Sequence, residues 1–300
     1  MAGTAAWFAR PALGVSERVL RFRWPIDLRL TVASHGWAQL APWRWDPDDA
    51  ILARRERIGG RLGTVAIAQP DPICVRVRWH GFAAAAAPEI LRRVGRWLSV
   101  DWEPFAAIAA LRTELPRAAA LIARGGGRIL RCSSFYEDFV KTVLTINTSW
   151  SGTCRMAAAL VAEPGGGAFP EPGMILDYGE ARLRERAKLG FRAATLLAAT
   201  RRMLEDGAIG PDGEGRDDRL GYDYLLALKG IGPYAAAHCR VLLQDFARIP
   251  IDATVVSYLR ERQNCKAAEF AARHVACGPY LALGYRLLRL SDKLTFSGLP

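Results

Sequence analysis

Residues 222–259 read YDYLLALKGIGPYAAAHCRVLLQDFARIPIDATVVSYL, and the punctuation of this stretch decides the fold. Leu225, Leu226 and Leu228 belong to a short helix. Gly230, Ile231 and Gly232 then make a tight hairpin, and Pro233 suits the first position of a new helix, where a missing N–H costs nothing. Two glycines around one apolar residue let the backbone turn sharply while Ile231 points back into the core. Such a hairpin offers backbone N–H groups at a helix N-terminus, where phosphate binds well. Lys229, just before it, suits a phosphate contact. The alternative is an ordinary pair of helices joined by a glycine cap.

Downstream, Ile249, Pro250 and Ile251 lead to Asp252, which opens the helical run ATVVSYLRE. An aspartate there can cap the helix, a contribution of about 1 kcal/mol. A carboxylate at that place can also stabilise positive charge building on a sugar, or orient a water, as in glycoside hydrolysis. The residues alone leave both roles open to Asp252.

The bulk properties agree with a polyanionic partner. The chain has 300 residues, a formal net charge of +11 and an isoelectric point near 9.8. Five of its 41 basic residues are lysines, so arginine supplies the rest. Arginine suits bidentate phosphate contacts, although a GC-rich coding sequence also enriches Arg and Ala. A hydrophobic fraction of 51% implies a folded chain, with two domains the natural division. The six cysteines include no CxxC pair, which argues against a zinc knuckle or a redox motif and for reduced thiols. No stretch of about 18 apolar residues exists, so no membrane span is expected. The N-terminal MAGTAAWFARPALG lacks a long apolar run, so no signal peptide is expected.

Residues 1–87 read as β-rich. RVLRFRWPIDLRLTV, from Arg18, and GRLGTVAIAQPDPICVRVRWHGF, from Gly60, alternate apolar and polar residues, which predicts antiparallel strands. From Pro88 onward the spacing becomes helical, so residues 88–300 form a helical domain and the fold class is α+β. Ser134 with Glu137 three residues on has capping-box spacing. A helix follows over SWSGTCRMAAALVA. Residues 163–173 make a Gly/Pro loop, EARLRERAKLGFRAATLLAATRRML makes two helices broken near Gly190, and EDGAIGPDGEGRDD, residues 205–218, reads as a solvated mobile loop.

Hairpin, helix and Pro-Ile-Asp in LKGIGPYAAAHCRVLLQDFARIPIDATV together resemble the signature of the helix-hairpin-helix, Gly/Pro-Asp superfamily of DNA glycosylases. Three more stretches agree. SFYEDFVKTVLTINTSWSGTCRMAAAL resembles that superfamily's helix-loop-helix, with Asn147 at the position that fills the hole left by an extruded base. KLGFRA, from Lys188, is similar to a superfamily segment of the form LG(Y/F)RA. The β-rich start resembles the extra TATA-binding-protein-like domain of the alkylpurine and 8-oxoguanine branches.

The resemblance implies a two-lobed helical core behind an N-terminal antiparallel sheet. It implies Asp252 as the catalytic carboxylate and Lys229, Gly230, Ile231, Gly232, Tyr234 and Asn147 as DNA contacts. Tyr234, Trp150 and Tyr222 are candidates for an aromatic base pocket, as are Tyr224, Phe135 and Tyr136, and His238 reads as a packing or phosphate-facing residue. Bifunctional members carry a Schiff-base lysine where this chain has Tyr234, so base removal without strand cleavage is implied. The alternatives are a lyase using Lys188 or Lys229, and a non-catalytic lesion-binding protein. A modified purine is the implied substrate, and an alkylated, already cationic base suits a site with one obvious carboxylate. Only Cys265 and Cys277 follow Asp252, so no iron–sulfur cluster or other cofactor is implied, a monovalent cation at the hairpin being the one ion allowed. The implied partner is double-stranded DNA with a damaged base, bound by a monomer at the bacterial nucleoid or in a nucleus.

Overall fold

A computed structural model describes residues 15–297. Five strands come first: β1 (Ser16–Arg21), β2 (Trp43–Asp46), β3 (Ile51–Ile58), β4 (Arg61–Asp71) and β5 (Cys74–His80). They form one antiparallel sheet in the order β1-β5-β4-β3-β2. Between β1 and β2 lie a short helix, α1 (Leu28–Val32), and a 3-10 turn over Gly36–Gln39.

After the sheet the chain is helical: α2 (Ala87–Trp97), α3 (Phe105–Leu111), α4 (Pro116–Ala123), α5 (Phe135–Leu144), α6 (Trp150–Ala162), α7 (Pro172–Tyr178), α8 (Glu180–Glu185) and α9 (Arg192–Glu205). It ends with α10 (Tyr222–Ala227), α11 (Pro233–Leu242), α12 (Ala253–Gln263), α13 (Ala267–Arg273) and α14 (Leu281–Ser297). The α+β class is therefore as expected. No helix among the described residues is long and apolar enough to cross a membrane.

The alternating sequence from Arg18 is only half strand. LRLTV is α1, because Asp27 caps it by accepting from the Leu30 N–H (2.9 Å) and because Leu28, Leu30, Thr31 and Val32 are all buried. With four of its five residues buried and little more than one turn in length, this helix shows no amphipathic period. Strand β3 escaped the hydrophobic pattern for the opposite reason. Its inward positions include Arg54 and Glu56, both almost fully buried.

These two residues join the sheet to α5. The Arg54 guanidinium pairs with Glu56 (2.5 Å) and with Glu137 (2.7 Å), while Lys141 reaches Glu137 from one turn on (2.8 Å). Arg93 on α2 closes the set on Glu56 (2.5 Å). Burial alone would raise the Glu137 carboxyl, but Arg54 and Lys141 overcome it and hold the group down at about 2. Ser134 caps α5 through the Glu137 N–H (3.3 Å), yet Glu137 turns to these cations instead of completing the expected capping box. A cavity of about 460 Å³ borders the cluster and is lined mainly by charged side chains that pair with one another.

Residues 205–218, read as a solvated loop, are exposed at 205, 211–212 and 216–218 but anchored in the middle. Ala208 and Ile209 are buried, Ile209 bridges to Gly215, and the Tyr136 N–H donates to the Gly213 carbonyl (3.0 Å). Gly213 holds a left-handed φ of 79°, and a side chain there would strike Tyr136. Phe135 and Tyr136, weighed as pocket aromatics, are instead core residues at 0% and 1% exposure.

Candidate DNA interface and active site

The hairpin forms as its residues dictate. Helix α10 stops at Leu228, whose carbonyl accepts from the Ile231 N–H (3.0 Å). Gly230 takes φ +83°, and a Cβ there would come within 2.8 Å of the Thr195 side chain on α9. Glycine therefore satisfies both the left-handed backbone and the close approach. Ile231 is buried, as expected, while Lys229, Gly230 and Gly232 are exposed. Gly232 precedes α11 with no side-chain cap, and open space surrounds the place a Cβ would fill. The free N–H groups of the first turn of α11 can then meet an anion without steric hindrance.

Helix α11 carries Tyr234 and His238 inward from the hairpin. Their rings stack at 5.8 Å and 14°. The Tyr234 hydroxyl lies 3.2 Å from the Thr145 hydroxyl, at the end of α5 and two residues before Asn147. Asn147 is exposed and left-handed, with φ +48°. Arg192 holds this turn from behind: its guanidinium donates to the carbonyls of Ile146 (3.0 Å) and Asn147 (3.0 Å). The LGFRA segment thus contributes a positioning arginine to the Asn147 loop. Its neighbour Phe191 is 58% exposed beside it.

Asp252 opens α12, and one of its oxygens accepts from the Val255 N–H at 2.8 Å. The other oxygen takes no hydrogen bond among the described residues. The carboxylate is partly exposed and close enough to Tyr234 to raise its phenol, after burial, the larger cause. The capping and electrostatic roles left open by the residues are thus compatible in one side chain.

The wall facing α11 comes from before β2, where sequence reasoning placed no site residue. His35 and Trp37 meet His238 edge-on at 6.0 Å and 5.0 Å. Trp37 donates its indole N–H to Asp138 (3.0 Å). Trp150 donates to Gln39 (2.6 Å), and its ring covers Gly36 so closely that a Cβ there would lie 2.5 Å from it. The only sequence sign was a Gly between two large aromatic side chains in SHGWAQ. Arg286 on α14 is the second omission. Its charge acts on Tyr234, Asp252, His35 and His238, yet nothing in the helical run LALGYRLL distinguished it.

Of the proposed pocket aromatics, Tyr234 is among these groups and Trp150 is at their edge. Tyr222 is directed elsewhere: its ring lies under the Arg248 guanidinium at 4.5 Å. Tyr224 donates its hydroxyl to Asp206 (3.0 Å). Lys188 is exposed, in a left-handed turn before α9.

No family model matches the chain, and no curated protein matches it in sequence. Solved structures do match. A 3-methyladenine DNA-glycosylase from Archaeoglobus fulgidus superposes with a TM-score of 0.69 at 15% identity, over 93% of this chain and 99% of that one. An apo 8-oxoguanine glycosylase/lyase from Clostridium acetobutylicum gives 0.65 at 13% identity, over 92% and 97%. The same enzyme in complex with double-stranded DNA gives 0.63, over 93% and 98%. The fold is that of the helix-hairpin-helix DNA glycosylases. The likeness spans the sheet as well as the helices, so the glycosylase fold accounts for nearly the whole chain.

Proposed function

We propose that this chain is a monofunctional DNA glycosylase that removes a modified base from double-stranded DNA. The observation that carries the reading is the set formed by the bare hairpin at residues 230–232, Tyr234 two residues on, and the Asp252 carboxylate within electrostatic reach of that tyrosine. The hairpin N–H groups hold one phosphate, and Lys229 adds a charge beside them. Asn147, fixed by Arg192, fills the space the extruded base leaves in the stack. Extrusion costs a few kcal/mol, least where the base is damaged or mispaired. The base rests against the Tyr234 ring. As the C1′–N bond breaks, its electron pair leaves with the base and positive charge builds on the sugar, where Asp252 stabilises it. Water then adds to C1′, leaving a free base and an abasic site.

Tyr234 occupies the position where a lyase needs an amine, so no Schiff base forms. The reading uses no cofactor and a single copy of the chain, and the net charge of +11 supports binding to the DNA backbone. The test is release of free base from lesion-bearing duplexes, with borohydride treatment of abasic duplex in parallel. Base release without a trapped covalent adduct is expected. An adduct contradicts the monofunctional reading, and binding without base release from a broad lesion panel contradicts the enzymatic one.

A further inference from the structure

The groups that face Tyr234 have a chemistry of their own, and it separates two classes of base. His35 donates its Nε2–H to the Leu130 carbonyl (2.6 Å), which leaves Nδ1 as a bare acceptor, buried and without a partner. The His238 Nδ1 lies 3.2 Å from the Thr142 hydroxyl. That hydroxyl gives its proton to the Asp138 carbonyl (2.8 Å), so His238 Nδ1 is the donor and Nε2 is the bare acceptor. Burial, and next the charge of Arg286, keep both rings neutral: His35 is pushed down to about 3 and His238 well below its usual range.

Arg286 is the cation of this wall. Helix α14 packs on α12 through Tyr285 against Tyr258 (5.7 Å) and through Tyr258 to Asp292 (2.7 Å). Arg286, next after Tyr285 on this helix, is close enough for its charge to act on Tyr234 and Asp252 and on both imidazoles. Among the described residues Arg286 has no carboxylate within ion-pair distance, and its Nε is buried without a hydrogen-bond partner. The wall therefore combines a buried cation that forms no direct ion pair among the described residues with neutral ring acceptors.

Resting on the glycosylase reading above, we propose that the site takes a neutral base carrying a lactam, a ring N–H beside a carbonyl, rather than a cationic N-alkylpurine. The carbonyl accepts from Arg286 and the ring N–H donates to an imidazole nitrogen. A cationic base meets like charge in a desolvated site, where repulsion is least screened. The bond-breaking step distinguishes the two classes again. A neutral base leaves with an electron pair and gains negative charge, which Arg286 stabilises while Asp252 stabilises the sugar, and the base then takes a proton from the water that adds to C1′. A cationic base only loses its charge on leaving, so Arg286 gives it no such help. This reverses the preference for a cationic lesion drawn from the residues around Asp252 alone.

The test is kcat/KM for base release by the full chain. Duplexes carry hypoxanthine, 8-oxoguanine or uracil as neutral lactams, and 3-methyladenine or 7-methylguanine as cations. 7-Methylguanine is the critical arm because it keeps the carbonyl and adds the charge. Release of at least one neutral lactam, with cations left near their spontaneous rate, is expected. Arg286→Met should lower the neutral-to-cationic ratio at least about tenfold, and His35→Phe should lower it as well, a shift in selectivity that simple loss of folding does not produce. Asp252-dependent release of the cationic bases in preference to the lactams overturns the proposal and leaves the glycosylase reading standing. No release from any duplex overturns both.

Discussion

The Tyr234 hydroxyl lies 3.2 Å from the Thr145 hydroxyl, and this contact joins the helix that begins at the 230–232 hairpin to the turn that presents Asn147. Thr145 already donates to the Thr142 carbonyl (2.7 Å), so the tyrosine supplies the proton of the pair. Tyr234→Phe keeps the ring and its stack on His238 and removes that link alone. A neutral hydrogen bond contributes about 1 kcal/mol, so unfolding in urea should lose that much or less and base release should slow about fivefold. Unchanged release would show that hairpin and turn act independently.

Arg192 holds the same turn from the other side. Arg192→Met leaves the Ile146 and Asn147 carbonyls without their donor, and a lost partner of this kind costs about 1–3 kcal/mol. The expected phenotype is selective. Binding to undamaged duplex should hold, while the fluorescence rise of a 2-aminopurine beside the lesion, which reports unstacking, should slow about tenfold or more. An unaltered unstacking rate would mean that Asn147 needs no support.

Acid should weaken the fold in two stages. His35 is neutral in the folded chain down to about pH 3, whereas the unfolded chain takes its proton near 6.5. The unfolded state thus binds more protons between those values, so stability falls as pH drops below 6.5. Glu137 has the depressed carboxylate's behaviour: its contribution is complete above the usual 4.5 and is lost as pH falls towards 2. Urea unfolding at successive pH values should show stability declining already between pH 6.5 and 5, with a steeper loss below 4.5. A flat profile from pH 7 to 5 contradicts neutral burial of the histidines. Glu137→Gln, which strands the buried Lys141 without its carboxylate and leaves Arg54 with Glu56 alone, should cost about 3–5 kcal/mol near neutral pH.

The parts legible in sequence are those where local chemistry dictates local shape. Gly230 and Gly232 announced the hairpin, Pro233 the start of α11, Asp252 the cap of α12, and Ser134 the start of α5. The parts that escaped depend on contacts between distant segments. Strand β3 was hidden because Arg54 and Glu56 occupy inward positions, and the partners that make them tolerable, Glu137 and Lys141, lie some 80 residues away in sequence. Helix α1 was hidden because it is little more than one turn long and four of its five residues are buried, which leaves no amphipathic period. His35 and Arg286 look like any surface histidine or helical arginine until the fold brings both to His238. Tyr222 shows the converse: an aromatic near the hairpin in sequence whose ring the fold gives to Arg248.

Asp252 is both helix cap and proposed charge stabiliser, and one substitution separates the roles. Asparagine caps a helix as well as aspartate does, so Asp252→Asn should keep thermal stability and duplex affinity close to those of the parent chain. What it removes is the negative charge proposed to stabilise the sugar. The decisive measurement is the single-turnover rate of base release by Asp252→Asn beside the parent chain, on whichever lesion duplex the parent cleaves fastest. A fall of about a hundredfold or more with stability and binding retained is expected. Rates within twofold of each other would show that Asp252 is a helix cap and nothing more.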